Sequence, residues 1–230
     1  MEMYESLLAI YNKRNGHYSQ HMNQCEIEEH DANATFNHLY INNIGALLNK
    51  FDTDYVKNFK NTTENITAVL KDSKCDGVVF IKGNDGRIHM VFSELKSKCT
   101  STNLEKAFNQ VIFTFFKYHQ LLSICKNYNL SDTTMDFVLA CHVGDVDDDA
   151  EIYSDMQNEQ MIFSEVRTKS FVADMLPSLL RDKVISFKIG ELRQFHTLPF
   201  NSDIMEKIIT LHLATSISQN TDTASITFTY

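Results

Sequence analysis

The sequence predicts an α/β fold with a mixed central sheet flanked by helices. Three observations predict it. Residues 75–81 (CDGVVFI) and 88–96 (IHMVFSELK) are short apolar runs containing β-branched residues, and the segment 82–87 between them carries two glycines, so the pair reads as a hairpin. Residues 104–128 place Ala107, Phe108, Val111, Phe115, Leu122 and Cys125 along one helical stripe. Residues 136–143 (DFVLACHV) then form a buried strand. A helix that connects two strands of one sheet makes them parallel, with a right-handed crossover.

The flanking elements follow in order. Tyr4, Leu7, Leu8 and Tyr11 give residues 2–13 the spacing of a helix. Residues 15–30 are polar and rich in histidine, and read as irregular. Asp31 is placed to cap a helix running to about residue 49, with Phe36, Leu39, Tyr40, Ile44, Leu47 and Leu48 as its apolar stripe. Residues 50–65 lack a period and end in a turn at 62–65. Beyond the core, 144–155 reads as an acidic loop. Strands are expected at 161–166 and 184–189, with a helix near 170–181 between them. A helix at 204–216 and a strand at 224–229 complete the chain. The expected organisation is one domain over 1–230: an N-terminal helix, a core at about 30–145 and a C-terminal α/β extension at about 146–230.

Composition narrows the functional classes. Hydrophobic residues make up 43% of the 230, enough for a sizeable core. No run of about 18 apolar residues exists, and the acidic N-terminus lacks the basic start of a signal peptide, so a cytoplasmic protein without a membrane span is expected. The five cysteines are odd in number and form no CxxC pair, which favours reduced, buried thiols. The net charge of −9 excludes a broad basic face. If such a chain acts on nucleic acid, it must cluster lysines locally or rely on a partner or oligomer.

The chemistry concentrates on the hairpin. Alternation puts Glu94 and Lys96 on one face with Met90 and Phe92, and Asp76 on the same side as Val78 and Phe80. The turn closes the far end, so pairing brings Asp76 and Glu94 together at the open end. Two carboxylates this close repel each other unless a cation lies between them, and hard oxygen ligands suit Mg²⁺. Lys96 beside them could position or deprotonate a water, or neutralise developing charge.

Asp76 followed by Glu94-Leu95-Lys96 resembles the D…(D/E)-x-K signature of the PD-(D/E)xK, or restriction-endonuclease-like, nuclease superfamily, and the expected element order over about 30–145 is similar to its core. The resemblance implies a restriction-endonuclease-like core and Mg²⁺-dependent phosphodiester hydrolysis, with Mn²⁺ able to substitute and DNA favoured over RNA. Asp76 and Glu94 would be metal ligands and Lys96 the catalytic lysine. Cys75 stands where relatives often carry proline. The glutamate that many relatives place on the first helix has no clean match; Glu28 and Glu29 precede that expected helix, and Asp31, Asn33 and Asn37 lie on it, with Glu29 and Asn37 as supporting candidates. Gln110 matches a glutamine some relatives place on the next helix, where Thr114 replaces the tyrosine that often follows.

Lys74, Lys98 and Lys106 are the expected nucleic-acid contacts, with Lys117 in the same strip and Lys57, Lys60 and Lys71 ahead of it. A weak local patch implies an effector working with a helicase or ATPase, another complex subunit or a second copy, for example in antiviral defence. The rival readings are a catalytically silent scaffold on the nuclease fold and a zinc hydrolase using His17, His21 and Cys25. Asp145 and Asp147–Asp149 lack the glycine and terminal glutamate of a calcium loop, and read as solvated.

Overall fold

The computed structural model describes residues 2–13, 16–57, 74–84, 86–142, 171–195, 200–216 and 222–230. An eight-stranded mixed sheet organises them. The hairpin forms as expected: β3 (Gly77–Lys82) pairs antiparallel with β4 (Ile88–Lys96), Gly77 opposite Ser93. Gly86 closes the turn at φ +79°, a conformation that glycine adopts without steric cost. Helix α3 (Ser101–Leu122) follows, and then β5 (Thr133–Cys141) runs parallel to β4. Thr100 caps α3 by accepting from the Asn103 N–H, three residues before the expected start; the helix stops at Leu122 rather than 128.

Two segments differ from the sequence reading. Residues 16–49 hold no helix. Instead β1 (Tyr18–Glu28) and β2 (His38–Phe51) form a long antiparallel pair. Their alternation was hidden by an irregularity: the register shifts between Met22 and Gln24, where Asn23 lies at φ +66° and Gly45 at φ +80°. The buried positions on the first part of β2 run Leu39, Ile41 and Asn43 and resume at Ala46 and Leu48, and the break between 43 and 46 imitates a helical stripe. β1 is mostly polar because only Cys25 and Ile27 on it are buried.

The helix expected at 204–216 is also mostly strand. A single turn, α5 (Ser202–Met205), leads into β7 (Ile208–Thr215), which buries Ile209, Leu211 and Leu213. β7 pairs parallel to β5 and antiparallel to β6 (Val184–Lys188). Sandwiched between two strands, its alternate apolar residues are better buried than they would be around a surface helix. A π-helical turn at Phe171–Met175 and α4 (Leu176–Asp182) match the expected helix near 170–181. The expected last strand is β8 (Thr223–Phe228), parallel to the first half of β2. The loop at 144–155, the strand at 161–166 and the turn at 62–65 lie outside the described residues.

The full order is β1-β2-β3-β4-β5-β7-β6, with β8 against β2. Alternation divides the core in two. Val78, Phe80, Met90, Phe92, Phe137 and Leu211 point to a large cluster shared with α1 (Glu2–Lys13), α3 and α4. Val79, Ile81, Val91, Leu95 and Val138 point to a second cluster formed with Ile27, Leu39, Ile41 and Ala224. Among the described residues no helix contributes to the second cluster. Helices therefore cover one face, and β1, β2 and β8 cover the other, where helices on both sides were expected.

Gly77 marks the tightest approach between these layers. A Cβ there would collide with the side chain of Ile27 on β1, its Cγ2 included. Gly77→Ala is expected to destabilise the fold by about 1–3 kcal/mol through overpacking, read as a lower melting temperature. A wild-type melting curve would contradict this packing.

Candidate metal centre

The open end of the hairpin gathers the three residues singled out by the sequence. Asp76 immediately precedes β3, Glu94 is the seventh residue of β4, and Lys96 is its last. The two carboxylates interlock with the opposite strand: the Asp76 N–H donates to Glu94 Oε2 at 3.1 Å, and the Leu95 N–H donates to Asp76 Oδ2 at 2.7 Å. The Lys96 ammonium donates to Glu94 Oε1. Glu94 is 1% exposed, whereas the Lys96 side chain is 20% exposed.

A third carboxylate comes from β1. Glu29 lies one residue beyond that strand, and its ligand oxygen, with those of Asp76 and Glu94, forms a group within 4.8 Å of one another. Two bonds fix it: the Glu29 N–H donates to the Asn37 carbonyl at 3.0 Å, and Glu29 Oε1 accepts from the Asp31 N–H at 3.0 Å. Asn37 thus supports the site through its backbone, and the oxygen cluster does not include it.

The electrostatics are those of a seat for a cation. Burial pushes the Asp76 carboxyl up to about 6, and the Glu29 charge adds to this, while the Leu95 N–H and Lys96 oppose it. Burial and the neighbouring Asp76 hold Glu94 well above the usual carboxylate range despite Lys96. Three carboxylates and one ammonium leave two negative charges when all are ionised. A divalent cation balances that excess, and oxygen donors of this kind suit Mg²⁺ or Mn²⁺, so the residues fit such an ion.

The centre opens into a cleft of about 490 Å³. Asp76, Glu29, Lys74, Lys50, His21 and His30 are among its lining residues. Family models, curated proteins and solved structures give no match to this chain.

The remaining expected residues divide. Lys74 lines the cleft, ion-paired with Asp54 at 2.5 Å. Lys98 and Lys106 are exposed. Lys117 is 1% exposed within the core, so it cannot face a phosphate. The side chain of Lys57, together with Lys60 and Lys71, lies outside the described residues. Gln110 donates from Nε2 to the Lys74 carbonyl at 3.1 Å, and so braces the segment before Asp76 rather than entering the site. The zinc reading loses its set: Cys25 is buried in the second cluster, while His17 and His21 line the cleft. All five cysteines are free and buried, as expected.

Glu26, Glu28 and His38 also lie within ligand distance of one another; His38 Nδ1 is 2.8 Å from Glu26 Oε1 but makes no hydrogen bond. Asp136 on β5 is held by His212 Nε2 at 2.7 Å and by the Tyr230 hydroxyl, and reads as a structural tie.

Glu29 is only a supporting candidate in the sequence because the segment that becomes β1 has no period of its own. Thr114, whose hydroxyl accepts from the Cys75 N–H, stands out in the sequence only as a departure from a pattern. Nothing in a single sequence pairs position 114 with position 75.

Proposed function

We propose that this protein is a metal-dependent nuclease that hydrolyses phosphodiester bonds in nucleic acid, with DNA the favoured substrate. The observation that carries this reading is the convergence of Glu29, Asp76 and Glu94, with Lys96 on Glu94, at the edge of an open cleft. The convergence agrees with the D…(D/E)-x-K pattern, and the resemblance to the PD-(D/E)xK superfamily stands as part of the proposal.

The chain's own residues would act as follows. Glu29, Asp76 and Glu94 would hold a Mg²⁺ or Mn²⁺ ion, with Glu94 the most deeply buried of the three. Such an ion supplies Lewis acidity towards a phosphoryl oxygen and lowers the pKa of water. Lys96, paired with Glu94 and partly exposed, would supply positive charge beside the ion. Lys74 and Lys50 line the cleft with seven carboxylates, so the cleft is net negative until cations bind. In hydrolysis the water oxygen bonds to phosphorus, one P–O ester bond breaks, and the departing oxygen takes a proton.

The net charge of −9 limits unaided binding. The reading therefore includes a partner that brings substrate, such as a helicase, an ATPase, another complex subunit or a second copy. Among the described residues no helix is long and apolar enough to cross a membrane.

The test is a cleavage assay on supercoiled plasmid, single-stranded DNA and RNA at low salt, with Mg²⁺ or Mn²⁺ and a chelator control. Metal-dependent cleavage that EDTA abolishes is expected. Intact substrates under every condition, including high protein concentration, would remove the nuclease reading. Glu29→Gln is expected to lower the cleavage rate by about 10- to 100-fold, less than changes at the buried Glu94, because Glu29 sits at the cleft wall. An unchanged rate would separate Glu29 from the centre.

A further inference from the structure

We infer that Thr114, in the middle of α3, is the positioning residue that sets where the Asp76 carboxylate stands. The inference rests on the reading of Asp76, Glu94 and Glu29 as a metal seat, and deepens it. Asp76 lies outside β3, on a segment with no ladder partner of its own beyond the Glu94 side chain. Something else must hold its backbone. Thr114 is fully buried, and its hydroxyl accepts from the Cys75 N–H at 2.8 Å while donating to the Gln110 carbonyl at 2.7 Å. The hydroxyl thus has one acceptor role and one donor role, and both are filled.

One turn earlier on the same helix, Gln110 Nε2 donates to the Lys74 carbonyl. The single peptide group between Lys74 and Cys75 is therefore tied to α3 at both ends, its N–H to Thr114 and its C=O to Gln110. The Cys75 thiol adds a third tie, donating to the Gly77 carbonyl at 3.3 Å. Thr114 is the deepest of these struts, and the only one that bonds the residue adjoining Asp76 to the helix among the described contacts. A threonine that back-bonds to the carbonyl four residues earlier gives up nothing in helix geometry beyond a slight bend. The same bond fixes its rotamer, so the Cys75 N–H meets a preset acceptor.

The consequence is specific. Without the hydroxyl the Cys75 N–H is buried and unpaired, and relief requires the 74–76 segment to move. Movement of about 1 Å separates Asp76 from Glu94 and Glu29 while leaving β3 and β4 in place. Thr114→Val removes the hydroxyl at nearly constant shape, and Thr114→Ser keeps it.

Three readouts test the role in the full chain. The first is calorimetric titration with Mn²⁺: Thr114→Val should weaken binding about 10- to 100-fold, and Thr114→Ser should return it to within about threefold of wild type. The second needs no metal. The NMR signal of the Leu95 amide, which donates to the Asp76 carboxylate, should shift in Thr114→Val and stay in Thr114→Ser. The third is cleavage, where Thr114→Val should lower kcat by more than it raises KM for DNA, because Lys74 and Asp76 are the cleft-lining residues on the segment that moves and the rest stay in place. Should Thr114→Val fail to fold, Gln110→Leu removes the neighbouring strut at a half-exposed position, and about threefold weaker Mn²⁺ binding is expected. Mn²⁺ binding and a Leu95 amide signal equal to wild type in Thr114→Val, or in Gln110→Leu where the former does not fold, would overturn the positioning role. A wild type that binds no Mn²⁺ would overturn the metal-seat reading and the inference with it. Wild-type binding without cleavage would leave Thr114 in place and sink only the nuclease activity.

Discussion

Asp76→Asn is expected to raise the melting temperature of the metal-free protein at pH 7.5. The Asp76 carboxyl moves from 3.8 to about 6 on folding, so the folded chain binds this proton more tightly than the unfolded one. The sign follows directly. The stabilisation tied to that proton is fully present below about 3.8, and is lost as pH rises through about 6. Above that, the buried carboxylate is a standing penalty of at most about 3 kcal/mol. An amide removes the charge but keeps an oxygen to accept from the Leu95 N–H. Allowing for an imperfectly paired NH₂ group, a net gain of about 1–2 kcal/mol, or about 2–8 °C, is expected for a chain of this size. The wild type should fall in stability as pH rises from about 3.8 to about 6 and regain it with Mn²⁺; the variant should do neither to the same degree. A variant less stable than wild type at pH 7.5 would mean that Asp76 is not strained by its surroundings.

Glu94→Gln is expected to abolish metal-dependent cleavage, by about 10³-fold or more, while leaving the fold intact. The shape is nearly constant and the amide oxygen can still accept from the Asp76 N–H. What goes is one charge of the three that face the cation, at the most buried position. The amide nitrogen would also meet the Lys96 ammonium donor to donor, so Lys96 must turn away. Melting above or near the wild-type temperature together with lost cleavage separates a site effect from unfolding. Cleavage within a few-fold of wild type would take Glu94 out of the chemistry.

Much of this site was legible in the sequence, for physical reasons. Period-two alternation and a glycine turn fix the pairing of β3 with β4 almost alone, and Gly77 opposite Ser93 places Asp76 at the level of Glu94. The period of α3 is equally local. The residues that failed to show are those whose placement depends on distant segments. β2 was obscured because a bulge breaks its alternation between Asn43 and Ala46. β7 was obscured because Ile204, Ile208 and Leu211 fall at helical spacing across a helix-to-strand junction. Glu29 reaches the site only because β1 lies over β3 closely enough that Ile27 needs a glycine at 77. Thr114 reaches it only through the packing of α3 on the sheet. Local periodicity carries neither fact. Helices on one face and strands on the other also left the restriction-endonuclease-like core as a proposal, while the mixed α/β sheet itself is what forms.

The central claim is that Glu29, Asp76 and Glu94 form one divalent-cation seat, and a calorimetric titration with Mn²⁺ at pH 6.5 in two buffers of different ionisation enthalpy tests it most directly. The raised carboxyls must lose protons for the ion to bind, so one site with proton release into the buffer is predicted for the wild type, weakened at least about 100-fold in Glu94→Gln. A wild type that takes up no Mn²⁺, or a Glu94→Gln variant that binds it equally well, would contradict the seat.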